Sequence, residues 1–190
     1  MANGECDLVI AHEPSKAAEA TLKEKGVDTE ASVIAKDALV FTVNEQNSAT
    51  DFTVEQLTSI YSPEVNNWNQ LGLFDGEIAK FKPNLNSAAA KAFEKFFEVD
   101  LLAVNVPKKT IITEDGELFA ELPYDNGQNS ITFALYSDLQ RPSSDRFGPR
   151  KYLSVAGVLP DAHNIQADTY PLGFDILLTF KADESDDSIA

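Results

Sequence analysis

One cysteine and two histidines are all that 190 residues offer of these types, and each shortage closes a class of chemistry. A lone Cys6 forms no intramolecular disulfide and no multi-thiolate zinc site. Its setting, Asn3-Gly4-Glu5-Cys6, lacks the small apolar run that precedes a lipid-modified cysteine, so a buried spectator thiol is expected. His12 and His163 stand far apart and in no metal-ligand spacing, so neither a metal nor a cofactor is expected.

Basic residues are scarce too. Fifteen Lys and Arg against 31 Asp and Glu give a formal net charge of −16. With no basic run to offset it, such a chain repels phosphodiester backbones and anionic lipid, so nucleic acid is not an expected partner. No stretch approaches the roughly 20 apolar residues of a membrane span, so direct membrane insertion of this segment is not expected. The N-terminus shows no basic-then-apolar signal segment, which leaves a cytosolic protein or a targeting segment removed. Also missing are a Gly-x-Ser-x-Gly elbow, a phosphate loop of the Walker type and a Gly-x-Gly-x-x-Gly fingerprint. An enzyme is not expected.

What is present is an ordinary globular balance, 43% apolar and 24% charged, in a length open to one large domain or two small lobes. Asp7 to Ala11 reads as a strand buried on both faces, closed by Pro14. Ser15 caps a helix through Lys25, with Gly26 placed to end it. Val33 to Ala35 and Ala38 to Val43 read as extended runs broken at Lys36-Asp37. Thr53 and Gln56 form a capping box, with Phe52 and Leu57 at staple positions, ahead of a helix from Val54 to about Ser62 whose Leu57, Ile60 and Tyr61 share a core face.

Ile78 to Phe81 reads as a strand, and Asn86 or Ser87 caps a helix from Ala88 to Glu98 carrying a core stripe of Phe93, Phe96 and Phe97. Thr110 to Thr113 favours a strand, and Glu117 to Leu122 a helix behind Asp115. Asp125-Asn126-Gly127 marks a turn into an alternating strand of Ile131, Phe133 and Leu135 against Thr132, Ala134 and Tyr136. Arg141 to Arg150 is a loop, Tyr152 to Val155 and Ile176 to Phe180 are strands, and a helical turn lies near Asp161 to Ala167. The acidic tail from Asp183 is expected to be disordered. Alternating strands and helices make this an α/β chain.

The segment with most chemical potential is Asn84-Leu85-Asn86-Ser87-Ala88-Ala89, a polar loop entering a helix N-terminus. Unpaired N–H groups there attract an oxyanion, and small residues admit it closely. Plain helix capping is the competing reading of the same residues. His12-Glu13 after a strand end is a second candidate, against a simple surface loop.

The order of segments resembles the phosphate-binding proteins of ABC importers. The resemblance is carried by Asp7 to Ser15, Ile34 to Asn44, Phe52 to Ser62 followed by Asn66-Asn67-Trp68-Asn69-Gln70-Leu71-Gly72, Tyr124 to Ile131, Gly157-Val158-Leu159-Pro160, Asn164-Ile165 and Tyr170-Pro171-Leu172. It implies a type 2 periplasmic-binding-protein-like fold of two α/β lobes with mixed sheets, the first lobe incomplete. The family has part of a lobe upstream of the Asp7 strand, so an excised or truncated chain is expected. The implied division is a partial first lobe with crossover strands over residues 1–43, a second lobe over 44–150, a return segment over 151–182 and the tail 183–190.

At the site, similar proteins place Arg and then Ser-Gly-Ser or Ser-Gly-Thr, whereas this chain has Pro83 and then Ser87-Ala88-Ala89, so only Ser87 matches. Losing a guanidinium and a hydroxyl removes contacts worth about 1–3 kcal/mol each, or about two orders of magnitude or more in affinity. The implied ligand-binding residues are Ser87, Asn86, Ala88 and Glu13, with His12 as close in register as Glu13. The implied role is an extracytoplasmic solute-binding module taking phosphate or another small anionic or polar solute, with an ABC permease as partner of the full-length protein. The alternative is a non-transport interaction or sensor module that kept the fold and lost phosphate.

Overall fold

The computed structural model describes residues 3, 6–12, 14, 16–104, 127–140 and 150–182, without the side chains of 16 and 17. Glu13, the proposed Ser15 cap, the Thr110–Thr113 strand, the Glu117–Leu122 helix, Asp125-Asn126, most of the Arg141–Arg150 loop and the tail 183–190 lie outside the described residues. The chain forms two compact units, Met1–Asp37 with Phe174–Ala190, and Ala38–Gly173.

In the first unit, β1 (Leu8–His12) pairs antiparallel with β8 (Gly173–Lys181), in a register that sets Leu8 against Phe180 and His12 against Ile176. On the other side of β8 runs β2 (Thr29–Asn44), whose last seven residues belong to the second unit. Helix α1 (Lys16–Glu24) ends as its sequence requires. Gly26 turns left-handed at φ +64°, and the N–H groups of Gly26 and Val27 return to the carbonyls of Lys23 and Leu22.

Three expectations fail here. Leu8 is 41% and Ile10 61% exposed, so β1 is not covered on both faces. Its apolar run reflects β-propensity without burial. Cys6 is exposed, not buried. Lys36-Asp37 does not break the chain into two runs, because β2 passes through it unbroken for 16 residues. The Lys36 ammonium is paired 2.7 Å from the Asp175 carboxylate, so a charged residue sits inside the strand with its partner.

The second unit is built on the C-terminal half of β2, which pairs antiparallel with β5 (Ser130–Leu135) and with β6 (Arg150–Tyr152). Strand β4 (Ala79–Lys80) joins β5 in parallel, and β3 (Asp51–Phe52) forms a separate parallel pair with β7 (Ser154–Val155). The single strand expected over Tyr152 to Val155 is therefore two, β6 and β7, interrupted at buried Leu153.

Helix α2 (Val54–Tyr61) begins at the expected capping box. The Thr53 hydroxyl accepts from the Gln56 N–H at 3.2 Å, and the Gln56 side-chain oxygen accepts from the Thr53 N–H at 2.9 Å. Leu57, Ile60 and Tyr61 are buried as the periodicity requires. Helix α3 (Ala88–Phe96) packs Phe93 against Phe133 with ring centroids 4.6 Å apart and against Phe97 at 4.5 Å. Phe96 is only half-buried, so the expected stripe narrows to Phe93 and Phe97.

All six residues of β5 are buried, not one face of it, and Tyr136 opens a helical turn instead of continuing the strand. Thr132 and Ala134 are small enough to be enclosed on the face that alternation assigns to solvent. The helical turn at Ala162–Gln166 stands where expected, capped by Asp161.

Candidate functional site

The polar loop entering α3 is set by β4. After Lys80 the Phe81 N–H bonds the Ile131 carbonyl at 2.9 Å, which carries the sheet pairing one residue further. Pro83 is buried and the chain then turns. The Asn84 side-chain oxygen accepts from the Asn86 N–H, and the Asn84 carbonyl from the Ser87 N–H, both at 2.9 Å. This asparagine-centred turn delivers Ser87 to the N-cap with extended φ −72° and ψ 156°.

Ser87 accepts the Ala90 N–H on its hydroxyl oxygen at 3.2 Å, and its carbonyl accepts from Lys91. A hydroxyl that accepts in this way still has its own proton to donate. The N–H groups of Ala88 and Ala89 bond no group among the described residues. Three donors from consecutive residues therefore open the helix, at the end where the aligned peptide dipoles are positive. Ala88 and Asn86 are exposed, Ser87 is half-buried and Ala89 is buried. Of the four residues read from sequence, the structure brings together Asn86, Ser87 and Ala88; Glu13 lies outside the described residues.

The nearest lysine in sequence does not serve this loop. The Lys82 ammonium donates to the carbonyls of Leu101 and Val104. Burial pulls its pKa down, against an upward pull from Asp100. Lys91, on α3, pairs with Glu94 at 3.0 Å. Among the described residues, what the α3 N-terminus offers an anion is therefore backbone and hydroxyl dipoles.

Sequence reasoning passed over Lys80, which is 6% exposed. Its ammonium donates to the Ser62 carbonyl at 2.9 Å and the Asn66 side-chain oxygen at 3.0 Å. Ser62 is the C-cap of α2, where a cation meets the negative end of the helix dipole. Burial lowers the Lys80 pKa. Its position between alternating apolar residues on a strand was the available signal.

The Asn-Trp segment is a packing device. Asn67 caps a short 3-10 turn at Trp68–Leu71, and the fully buried Trp68 donates its indole N–H to the Asn129 carbonyl at 3.1 Å. Its ring lies 6.1 Å from Phe52 at an interplanar angle of 14°. Gly72 ends the turn with φ +77°. Among the described residues no three His, Cys, Asp or Glu side chains gather as a metal site, and no helix is long and apolar enough to cross a membrane.

The PBP superfamily domain matches residues 1–177. The chain belongs to the PBP superfamily. Its solved neighbours include an ABC-type phosphate transport receptor from Vibrio cholerae, at TM-score 0.71 and 20% identity over 97% of this chain and 70% of that one. PstS from Borrelia burgdorferi gives 0.65 and 20%, over 97% and 71%. A phosphate-binding protein from Stenotrophomonas maltophilia gives 0.65 and 15%, over 94% and 65%. At these identities the likeness is one of fold, and this PBP-superfamily chain has the type 2 periplasmic-binding-protein-like architecture of mixed sheets and helices. It spans 65–71% of the length of these three. Among curated proteins none matches.

Proposed function

We propose that this chain is a non-catalytic solute-binding module of a phosphate-type ABC importer, acting outside the cytoplasm, with an oxyanion as ligand and a permease as partner of the full-length protein. The observation that carries this reading is the open N-terminus of α3, where the Ser87 hydroxyl proton and the Ala88 and Ala89 N–H groups remain available in a PBP-superfamily chain. Solved neighbours described as an ABC-type phosphate transport receptor and as a phosphate-binding protein support the ligand class. Asn86 flanks the site and Glu13 is the proposed acid near the strand end.

The reading is tested by thermal unfolding of the chain in phosphate, sulfate and chloride at matched ionic strength. A bound ligand raises stability by about 2.7 kcal/mol at a hundred times its dissociation constant. Stabilisation by phosphate that Ser87→Asp abolishes is the expected result.

A second reading is favoured by Lys82, whose ammonium is committed to Leu101 and Val104, and by the Ala88-Ala89 pair. On that reading the module keeps the fold for interaction or sensing and has lost phosphate. No stabilisation by any oxyanion is its signature.

A further inference from the structure

In the first unit β2 carries an edge that no strand among the described residues covers. β8 lies on one side of it, while β5 and β6 pair only with residues 39–44. Residues 29–35 are all exposed. Val33 is 55% and Ile34 49% exposed, and as neighbours in a strand they point to opposite faces. An edge with apolar groups on both faces and few charges is a template for another strand.

The sequence of this edge is complementary to itself. When two copies run antiparallel about a two-fold axis through Val33, Val33 meets Val33, Ala31 meets Ala35 and Ser32 meets Ile34. Glu30 then stands directly opposite Lys36, and by symmetry the pair occurs twice. Lys36 already lies 2.7 Å from Asp175, with its side chain 27% exposed, and an ammonium has three protons to donate.

We infer that two copies of this chain associate through β2, edge to edge, with Val33 on the axis and Glu30 paired to Lys36 of the other copy. Against the contact works the net charge of −16 on each copy, a long-range repulsion that salt screens. The dimer therefore strengthens between low salt and about 0.15 M, where the screening length falls to about 8 Å.

Sedimentation velocity of the full chain over a hundredfold range of concentration tests this. Wild type is expected to shift from monomer to dimer. Val33→Lys sets two like charges against each other on the axis and is expected to leave a folded monomer, with circular dichroism confirming the fold. Glu30→Lys and Lys36→Glu each place like charges opposite and are expected to weaken association about tenfold or more, while the two together restore it. A wild type that stays monomeric, an open polymer in place of a dimer, or a dimer indifferent to these charge reversals overturns the inference.

Discussion

The Ser87 hydroxyl oxygen accepts a 3.2 Å hydrogen bond from the Ala90 N–H, so one atom both caps α3 and borders the candidate anion site. Stability and binding can be separated at this position. Ser87→Ala removes the cap and is expected to cost about 1 kcal/mol in chemical denaturation. Ser87→Asp keeps a capping acceptor, holds stability near wild type, and places a negative charge where the ligand would lie. Phosphate binding is expected to weaken in the first variant and vanish in the second.

The Thr53–Gln56 box at α2 is reciprocal, so its two halves are coupled. Thr53→Ala is expected to cost about 1 kcal/mol and Gln56→Ala less. A double-mutant cycle read by urea unfolding should give a non-additive remainder of about 0.5 kcal/mol or more.

Phe93 carries the packing between α3 and the sheet. It is fully buried, stacked on Phe133 and Phe97, and Phe93→Ala is expected to cost about 3–5 kcal/mol. Phe96→Ala should cost far less, since that ring is only half-buried. Emission from buried Trp68 follows both unfolding transitions in the second unit, red-shifting as the indole meets water.

The Thr132 hydroxyl is buried without a hydrogen-bond partner among the described residues. Its desolvation is uncompensated, a cost of about 1–3 kcal/mol. Thr132→Val, close in shape, is expected to raise the melting temperature.

Alkaline pH should destabilise the fold, most strongly through the two deeply buried phenols, Tyr61 and Tyr170, with half-buried Tyr152 acting in the same sense. Burial raises the pKa of Tyr61 well above its ordinary value and raises that of Tyr170 too. Above about pH 10 the unfolded chain releases these protons while the folded chain holds them, so stability falls by up to about 1.4 kcal/mol per pH unit for each group. Lys80 and Lys82 act in the opposite sense, because burial lowers their pKa values and the unfolded chain binds more protons in the window below about 10.5. Tyr61→Phe also loses the 3.0 Å bond from the phenol to the Phe81 carbonyl, so it starts less stable at pH 7. Melting curves from pH 8 to 11.5 should show it falling less steeply than wild type.

Sequence alone located the features that rest on local chemistry. The Thr53–Gln56 cap and the Leu57, Ile60 and Tyr61 face depend on neighbours three or four residues away and stand in the structure as read, and of the two caps open for α3, Asn86 and Ser87, the structure takes Ser87. What escaped depends on partners distant in the chain. Lys36-Asp37 looked like a break because its partner Asp175 is 139 residues from Lys36. Lys82 adjoins the candidate loop in sequence, yet its ammonium is bound to carbonyls about twenty residues on. The burial of Thr132 and Ala134 likewise follows from what covers β5, which no alternation pattern records.

Titration of the isotope-labelled chain with phosphate, followed by amide NMR, tests the site most directly. The Ala88 and Ala89 N–H resonances are expected to move with a saturable dependence, more than that of Ala90, whose N–H is already bonded to Ser87. Saturable shifts centred elsewhere, or none at phosphate concentrations up to tens of millimolar, would contradict an anion site at the start of α3.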